Sequence, residues 1–232
     1  MTQLFMDLGI LLSSYVIGSV PFGLIIVKLF SGKDIRTIAS GRTGGTNAMR
    51  AAGTWAGALT AILDIFKAAA TVWLAQAITP NVWIHTLAPI MAVIGNNYSI
   101  FLIERNPDGH IRLRGGAGGA AAGGGAFGLW PPVAFFLVPI GLLTWYLSGY
   151  ASVTTLCIGV VTIIVFGVRA GLGLVPWEYV LYGFLVEIIM LWSLRPNLKR
   201  LREGTERRHG LPVKLQELKR GRDQRRHKNS PP

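Results

Sequence analysis

The sequence has little charge for its length. Of 232 residues, only 15% are Asp, Glu, Lys or Arg, whereas a soluble domain has about 25%. Residues 115–168 contain none of these four types. This composition excludes an ordinary soluble domain. It predicts membrane-spanning segments, each of which needs roughly 20 mostly apolar residues.

The chain also lacks the residues of a disulfide framework or a metal centre. Cys157 is the single cysteine, so no disulfide can form within the chain. The four histidines are dispersed, and no set of them has the spacing of metal ligands. We therefore expect neither a metal nor a cofactor.

The apolar segments are continuous and show no alternation of polar and apolar residues, which argues against a transmembrane β-barrel and for helices. The predicted fold class is an all-α polytopic membrane protein with about seven transmembrane helices. The expected spans are residues 8–30, 55–78, 83–103, 115–129, 133–147, 151–168 and 178–194.

Most basic residues lie in three groups. Thirteen of the 23 Lys and Arg follow Leu194, five lie within 28–50 and three within 105–114. Seven spans with the N-terminus outside place all three groups, and the C-terminus, in the cytoplasm of a bacterial cell (inner) membrane protein, as the positive-inside rule requires. The clustering favours membrane orientation over nucleic-acid binding.

The domain organisation follows from the same pattern. Residues 1–208 are expected to form one transmembrane domain. Residues 209–232 are polar and basic, and we expect a mobile cytoplasmic tail near the membrane.

Residues 40–50 contain three Gly, three hydroxyl side chains, one Asn and two Arg. Gly allows backbone N–H groups to converge, and the side chains add further donors, which suits a phosphate. The alternative is a Gly-rich turn between the first two spans. The candidate ligands are Ser40, Arg42, Thr46, Asn47 and Arg50.

A second Gly-rich segment begins at Arg114 and includes Gly115, Gly116 and Gly118. It leads into the fourth expected span, and free N–H groups at a helix N-terminus bind anions. The alternative is close packing of small residues between membrane helices.

Two further polar groups lie in or beside spans. Lys67 follows Asp64 by three residues, so the two share a helix face and form either a structural ion pair or part of a substrate site. Arg195 and Asn197 lie where the seventh span is expected to end, where a basic cluster also serves to stop translocation.

The order of these motifs resembles the PlsY-type glycerol-3-phosphate acyltransferases, bacterial membrane enzymes that use acyl phosphate. The resemblance covers about residues 11–208. Residues 40–50 look like the family motif S-G-N-x-G-A-T-N followed by Arg, and residues 63–67 like L-D-x-x-K. Residues 114–118 occupy the place of K-G-G-K-G, residues 150–152 that of a Ser-bearing turn, and residues 195–197 that of R-E-N.

The resemblance implies transfer of a fatty acyl group from acyl phosphate to the 1-hydroxyl of glycerol 3-phosphate, giving lysophosphatidate, with membrane lipid as the surroundings. It implies catalytic roles for Ser40, Arg50, Ser152 and Asn197. It implies substrate or phosphate binding by Arg42, Thr46, Asn47, Lys67, Arg114, Gly115, Gly116, Gly118 and Arg195.

The chain departs from the family pattern at several positions. Arg42 replaces a family Asn, Ala117 replaces the Lys within the Gly-rich loop, and Leu194 replaces a His. Residues 104–113 form an extra stretch. These changes leave two other functions open: a non-catalytic or altered-specificity homologue that binds phospholipid precursors or a partner enzyme, and a small transporter.

Overall fold

The computed structural model describes residues 1–105 and 108–208, and the predicted tail at 209–232 lies outside the described residues. The described part is built of α-helices, with two short 3₁₀ helices (Ile35–Thr37 and Pro131–Val133) and one hairpin. The α-helices are α1 (Thr2–Ser19), α2 (Phe22–Ser31), α3 (Gly45–Ala52), α4 (Thr54–Ile78), α5 (Val82–Asn97), α6 (Gly119–Leu129), α7 (Ala134–Ser148), α8 (Ala151–Gly171) and α9 (Glu178–Arg202).

The helices confirm the all-α membrane class. Five segments in the described chain are long and apolar enough to cross a bilayer: Thr2–Ser31, Thr54–Ile78, Pro131–Ser148, Ala151–Gly171 and Glu178–Arg202. The other two expected spans correspond to α5 and α6, which have 16 and 11 residues. Such helices are only about 24 and 17 Å long, shorter than a hydrocarbon core of about 30 Å. The count of seven crossings stays a prediction.

Several helix ends differ from the expected spans. The first span is two helices, because Pro21 has no N–H to continue the ladder of α1, and α2 begins only at Phe22. Helix α5, which corresponds to the third expected span, ends at Asn97 rather than at residue 103. Residues 115–118 form a loop before α6, whereas α9 continues past Leu194 to Arg202 with Pro196 inside it.

Small residues bring the helices close together, as is usual in membrane bundles. A Cβ on Gly18 of α1 would lie 2.2 Å from the carbonyl oxygen of Ala92, and one on Gly124 of α6 would lie 2.2 Å from that of Ile65. Tyr182 of α9 is fully buried and donates a hydrogen bond to the carbonyl of Ala122 at 2.6 Å. These close contacts determine how α1 packs on α5 and how α4 and α9 pack on α6.

The extra stretch forms an antiparallel hairpin of β1 (Ile103–Arg105) and β2 (Ile111–Leu113), with Ile103 opposite Leu113. Glu104 connects this hairpin to its neighbours through ion pairs with Arg36 at 3.5 Å and Arg114 at 2.6 Å. The hairpin therefore lies beside residues 32–44 and the Gly-rich loop. We call the end of the bundle where these segments and residues 203–208 lie the basic end.

Candidate functional site

The Gly-rich loop lies directly against the segment between α2 and α3. The backbone N–H of Thr43 donates a hydrogen bond to the carbonyl of Gly115 at 3.2 Å. The Arg42 guanidinium donates to the carbonyl of Gly116 at 3.1 Å, although 74 positions separate the two residues. The two segments interpreted as anion-binding motifs therefore meet at the basic end.

Arg42 is a partly buried cation that joins three segments. Besides the Gly116 carbonyl, its guanidinium donates to the Ser193 hydroxyl at 3.0 Å and to the Ser193 carbonyl on α9. Burial lowers the pKa of Arg42, and the positive charges of Arg200 and Arg112 lower it further. A guanidinium remains protonated at neutral pH all the same. Positive charge is therefore concentrated at this point.

Asn47 fixes the shape of the segment before α3. Its side-chain nitrogen lies 2.8–3.2 Å from the carbonyl oxygens of Ile35, Ile38 and Arg42. Its Oδ1 is buried and has no hydrogen-bond partner in the described chain. The amide nitrogen of Asn47 is thus committed to the fold, whereas its oxygen lies buried beside the cavity that Asn47 lines.

The glycines of the second motif are required by close backbone approach. A Cβ on Gly115 would lie 2.2 Å from the carbonyl oxygen of Asn96. The N–H of Gly116 donates to that same carbonyl at 2.7 Å. Gly118 caps α6 with φ +92°, and a Cβ there would lie 2.8 Å from Oδ1 of Asn97. Buried Asn96 and Asn97 therefore position the loop at the start of α6.

Glu206 is a site residue that the sequence analysis missed. It accepts hydrogen bonds from Nδ2 of Asn197 at 2.7 Å and from Nε of Arg200 at 2.9 Å. Its side chain is only 6% exposed. The chain turns back at Gly204, whose φ is +70°, so no helical spacing relates Glu206 to Asn197. An acidic residue in a basic segment was the one available signal.

A cavity of about 520 Å³ extends from the basic end into the bundle. Eight of the sequence-predicted site residues line it: Ser40, Arg42, Thr46, Asn47, Arg50, Gly118, Ser152 and Asn197. Burial lowers the pKa of Arg50, as does the charge of Arg207, whereas Glu206 raises it. The Oγ of Ser152 and the Oδ1 of Asn197 are buried and have no hydrogen-bond partner within the described residues.

The rest of the cavity is mostly apolar and is formed by α4, α6, α7 and α8. Ala117 and Leu194, two of the positions at which the chain departs from the family pattern it resembles, both line the cavity. Other apolar lining residues include Ile65, Gly123, Phe127, Ala134, Leu137, Val138, Gly141, Leu142, Trp145 and Ile158. The lining positions on α7 share one helix face, but hydropathy could not distinguish them because the whole helix is apolar.

Five predicted site residues lie near the cavity without lining it. Lys67 forms a buried ion pair with Asp64 at 2.7 Å and donates to the carbonyl of Val20 at 2.9 Å; Asp64, not Lys67, lines the cavity. Arg114 is paired with Glu104, and Gly115 and Gly116 form the loop behind Gly118. Arg195 is exposed, and its guanidinium lies 3.2 Å from the ring centroid of Trp192.

The described residues contain no cluster of three or more His, Cys, Asp or Glu that could hold a metal ion. The side chains at the polar end are instead guanidinium, hydroxyl and amide groups, with the carboxylate of Glu206; the other lining carboxylate, Asp64, is paired with Lys67. Such donors bind phosphate-like anions. Together with the apolar lining, they define a helical membrane protein whose cavity suits an anionic amphiphile.

Comparisons with known proteins agree with this class. The family model described as glycerol-3-phosphate acyltransferase matches residues 8–204. A glycerol-3-phosphate acyltransferase of Thermus thermophilus is 39% identical over 200 residues, covering 86% of this chain and 94% of the relative. One of Rubrobacter xylanophilus is 34% identical over 205 residues, covering 88% and 96%.

A solved structure shares the fold. The crystal structure of PlsY (YgiH), described as an integral membrane glycerol 3-phosphate acyltransferase in its glycerol 3-phosphate form, superposes with a TM-score of 0.77 and 27% identity. The match covers 90% of this chain and 98% of that one. The chain belongs to the glycerol-3-phosphate acyltransferase family.

Proposed function

We propose that this protein transfers a fatty acyl group from an acyl phosphate to the 1-hydroxyl of glycerol 3-phosphate. The hydroxyl oxygen forms a bond to the acyl carbonyl carbon, and the bond from that carbon to the phosphate oxygen breaks. The hydroxyl proton leaves with the phosphate, so the products are lysophosphatidate and inorganic phosphate. The supporting observation is that one cavity joins a cationic polar end to an apolar groove.

The polar end has the donors that two phosphate-bearing substrates need. Arg42 and Arg50 supply positive charge, and the free N–H groups at the start of α6 add donors beside Gly118. Ser152 and Asn197 present buried polar oxygens toward which a reacting hydroxyl can orient. Catalysis in such a site arises from positioning and from stabilising the developing negative charge. These roles, and those of Ser40, Thr46 and Asn47, are part of the proposal.

Arg42 takes over the task of the loop Lys that this chain lacks. The Arg42 guanidinium donates a hydrogen bond to the carbonyl of Gly116, the residue next to Ala117, and Arg42 lines the cavity. A long Arg side chain from the first motif therefore delivers positive charge to the place where Ala117 contributes only a methyl group. This geometry favours a catalyst over a non-catalytic homologue.

The orientation in the membrane is part of the same proposal. The basic loops beside the cavity belong on the cytoplasmic face of the bacterial inner membrane by the positive-inside rule. Both water-soluble glycerol 3-phosphate and a membrane-held acyl phosphate can reach a cavity placed there. The apolar helix surfaces, such as Leu29 at 77% and Phe135 at 82% exposure, are then covered by lipid.

The test is an assay of the purified protein in lipid nanodiscs with palmitoyl phosphate and labelled glycerol 3-phosphate. We expect lysophosphatidate formation that depends on both substrates and is not supported by palmitoyl coenzyme A. Arg42→Asn should abolish most of this activity. Adding Ala117→Lys to the Arg42→Asn protein should raise its activity at least about tenfold above that of Arg42→Asn alone. Absence of product, with an active homologue beside it, would reject the proposal.

A further inference from the structure

The apolar part of the cavity is a slot of defined depth. Its lining residues on α6 are Gly119, Ala120, Gly123 and Phe127, and those on α7 are Ala134, Leu137, Val138, Gly141, Leu142 and Trp145. Both sets follow helical spacing along one face. The slot lies between α6, which packs mainly on α4, and α7, which packs mainly on α8. Residues of α4 and α8, such as Ile65 and Ile158, complete its lining.

The far end of the slot lies where α6 leads into α7. After Leu129, residues 130–133 form the bend that leads into α7, and Val133 is fully buried. Phe127 is the lining residue of α6 nearest this bend. Its ring packs edge-on against Phe66 and Trp73 of α4, with both centroid distances at 6.1 Å. These aromatic contacts fix the position of the Phe127 ring, which lines the cavity.

The slot is open along one side. Val138 and Leu142 line it and are 52% and 62% exposed, so their other faces meet lipid. A chain that is too long for the slot must bend out through this side. It then loses close contact with Phe127 and Leu137, because packing in the slot depends on shape and not on apolarity alone.

We propose that Phe127 is a specificity-determining residue that limits the length of acyl chain the slot accepts. This inference rests on the proposed function and concerns the same cavity. Phe127 is nine positions after Gly118, which corresponds to about 14 Å of helix. An extended hydrocarbon advances about 1.25 Å per carbon for a C–C bond of about 1.52 Å and an angle near 111°. The enclosed part of the chain is therefore about 11 carbons long.

Gly123 offers a second position from which the slot can be changed. It lies halfway along α6, and a Cβ added there would make ordinary contacts, 3.6 Å to Ile158 and 3.9 Å to Leu137. A Val at this position therefore fits the backbone, and its methyl groups enter the slot. Phe127→Ala should deepen the slot and Gly123→Val should make it shallower.

The experiment measures kcat/KM for acyl phosphates of increasing chain length in nanodiscs. Phe127→Ala should move the preferred length up by roughly two to three carbons, since the ring occupies a few ångströms of the slot. Its preference for an 18-carbon over a 12-carbon chain should rise at least about tenfold. Gly123→Val should move the preference the other way. The matched control is Phe135→Ala, because Phe135 lies on the lipid side and does not line the cavity.

A second readout does not need turnover. Binding of alkyl phosphates of increasing length, followed by the thermal stability of the protein, should show the same opposite shifts in the two variants. Should Phe127→Ala unfold, Phe127→Leu and Gly123→Val still test the proposal. An unchanged length profile in folded, active variants would overturn it. Absence of turnover with every acyl phosphate, beside normal length-dependent binding, would instead reject the proposed function and support the slot.

Discussion

The two ends of the cavity are built in opposite ways. The polar end is assembled from loops and helix ends that are far apart in sequence, and several of its side chains are held by specific hydrogen bonds, such as those of Asn47 to three carbonyls. The apolar slot is made by helix faces, and its shape depends on small residues such as Gly123 and Gly141. A single substitution should therefore damage the polar end severely and only reshape the slot.

The largest effect is expected from Arg42→Ala. The change removes the positive charge and the bonds to Gly116 and Ser193, so activity should fall by about 10³-fold, or ~4 kcal/mol of transition-state stabilisation. The activity of Arg42→Lys should lie between those of the unmodified protein and Arg42→Ala, because an ammonium cannot bridge both partners as a planar guanidinium does. Arg36→Ala is the control, as Arg36 is in the same segment but does not line the cavity. If Arg42→Ala keeps a tenth or more of the activity, the polar end is not as sensitive to a single substitution as this comparison requires.

The next effect concerns a polar pair within the apolar bundle. Lys67→Met leaves the Asp64 carboxylate buried beside the cavity without its cation, which should cost about 3 kcal/mol of stability. The double variant Asp64→Leu with Lys67→Met removes both charges and should recover most of that loss. Thermal unfolding in nanodiscs measures both. Equal destabilisation of the single and double variants would show that the pair is not what stabilises this region.

Glu206→Ala tests whether residues 203–208 belong to the polar end. Loss of the carboxylate leaves Asn197 and Arg200 without their partner, so we expect about 2 kcal/mol less stability and reduced activity. Glu203→Ala is the matched control, because Glu203 is 49% exposed and lies 4.0 Å from Lys199. The control should change stability by no more than about 0.5 kcal/mol. Similar results for the two variants would mean that Glu206 is a surface residue in the membrane-bound protein.

The smallest effect is expected at the rim of the polar end. The hydrogen bond from Arg36 lowers the pKa of Asp34 to about 2. A carboxyl whose pKa is lowered by folding stabilises the protein above its usual pKa of 3.8, and this contribution disappears as the pH falls through about 2. Asp34→Asn should thus cost at most about 1 kcal/mol at neutral pH, and the difference in melting temperature should vanish in strong acid. A pH-independent difference would assign the loss to capping of the 3₁₀ helix.

The membrane helices could be located from the sequence because hydropathy reports directly on what a bilayer requires. The predicted ends of the helices were less accurate, because local features of the chain determine where a helix begins and ends. Pro21 divides the first span, and α9 includes Pro196 despite the basic residues around it. The extra stretch at residues 104–113 is visible in the sequence, but nothing in its residues predicts strands β1 and β2 or the ion pairs of Glu104 with Arg36 and Arg114.

The candidate site was predictable as a set of motifs and not as a geometry. The Gly-rich segments and Arg42 carry donors that any phosphate site needs, and the structure brings them together. Glu206 could not be assigned, since a reversal of the chain at Gly204 places it beside Asn197. The face of α7 could not be assigned either, because an entirely apolar helix gives no signal for which side meets a cavity and which meets lipid.

The open side of the slot determines how the lipid substrate can enter and how the product can leave. A fatty tail can slide in sideways from the surrounding leaflet while its head group stays at the water boundary, and a single-tailed product can leave by the same route. Neither molecule then has to dissolve in water. Encounter rates would be governed by lateral diffusion in two dimensions, so the composition and fluidity of the host membrane would act on turnover as directly as the concentration of the soluble substrate.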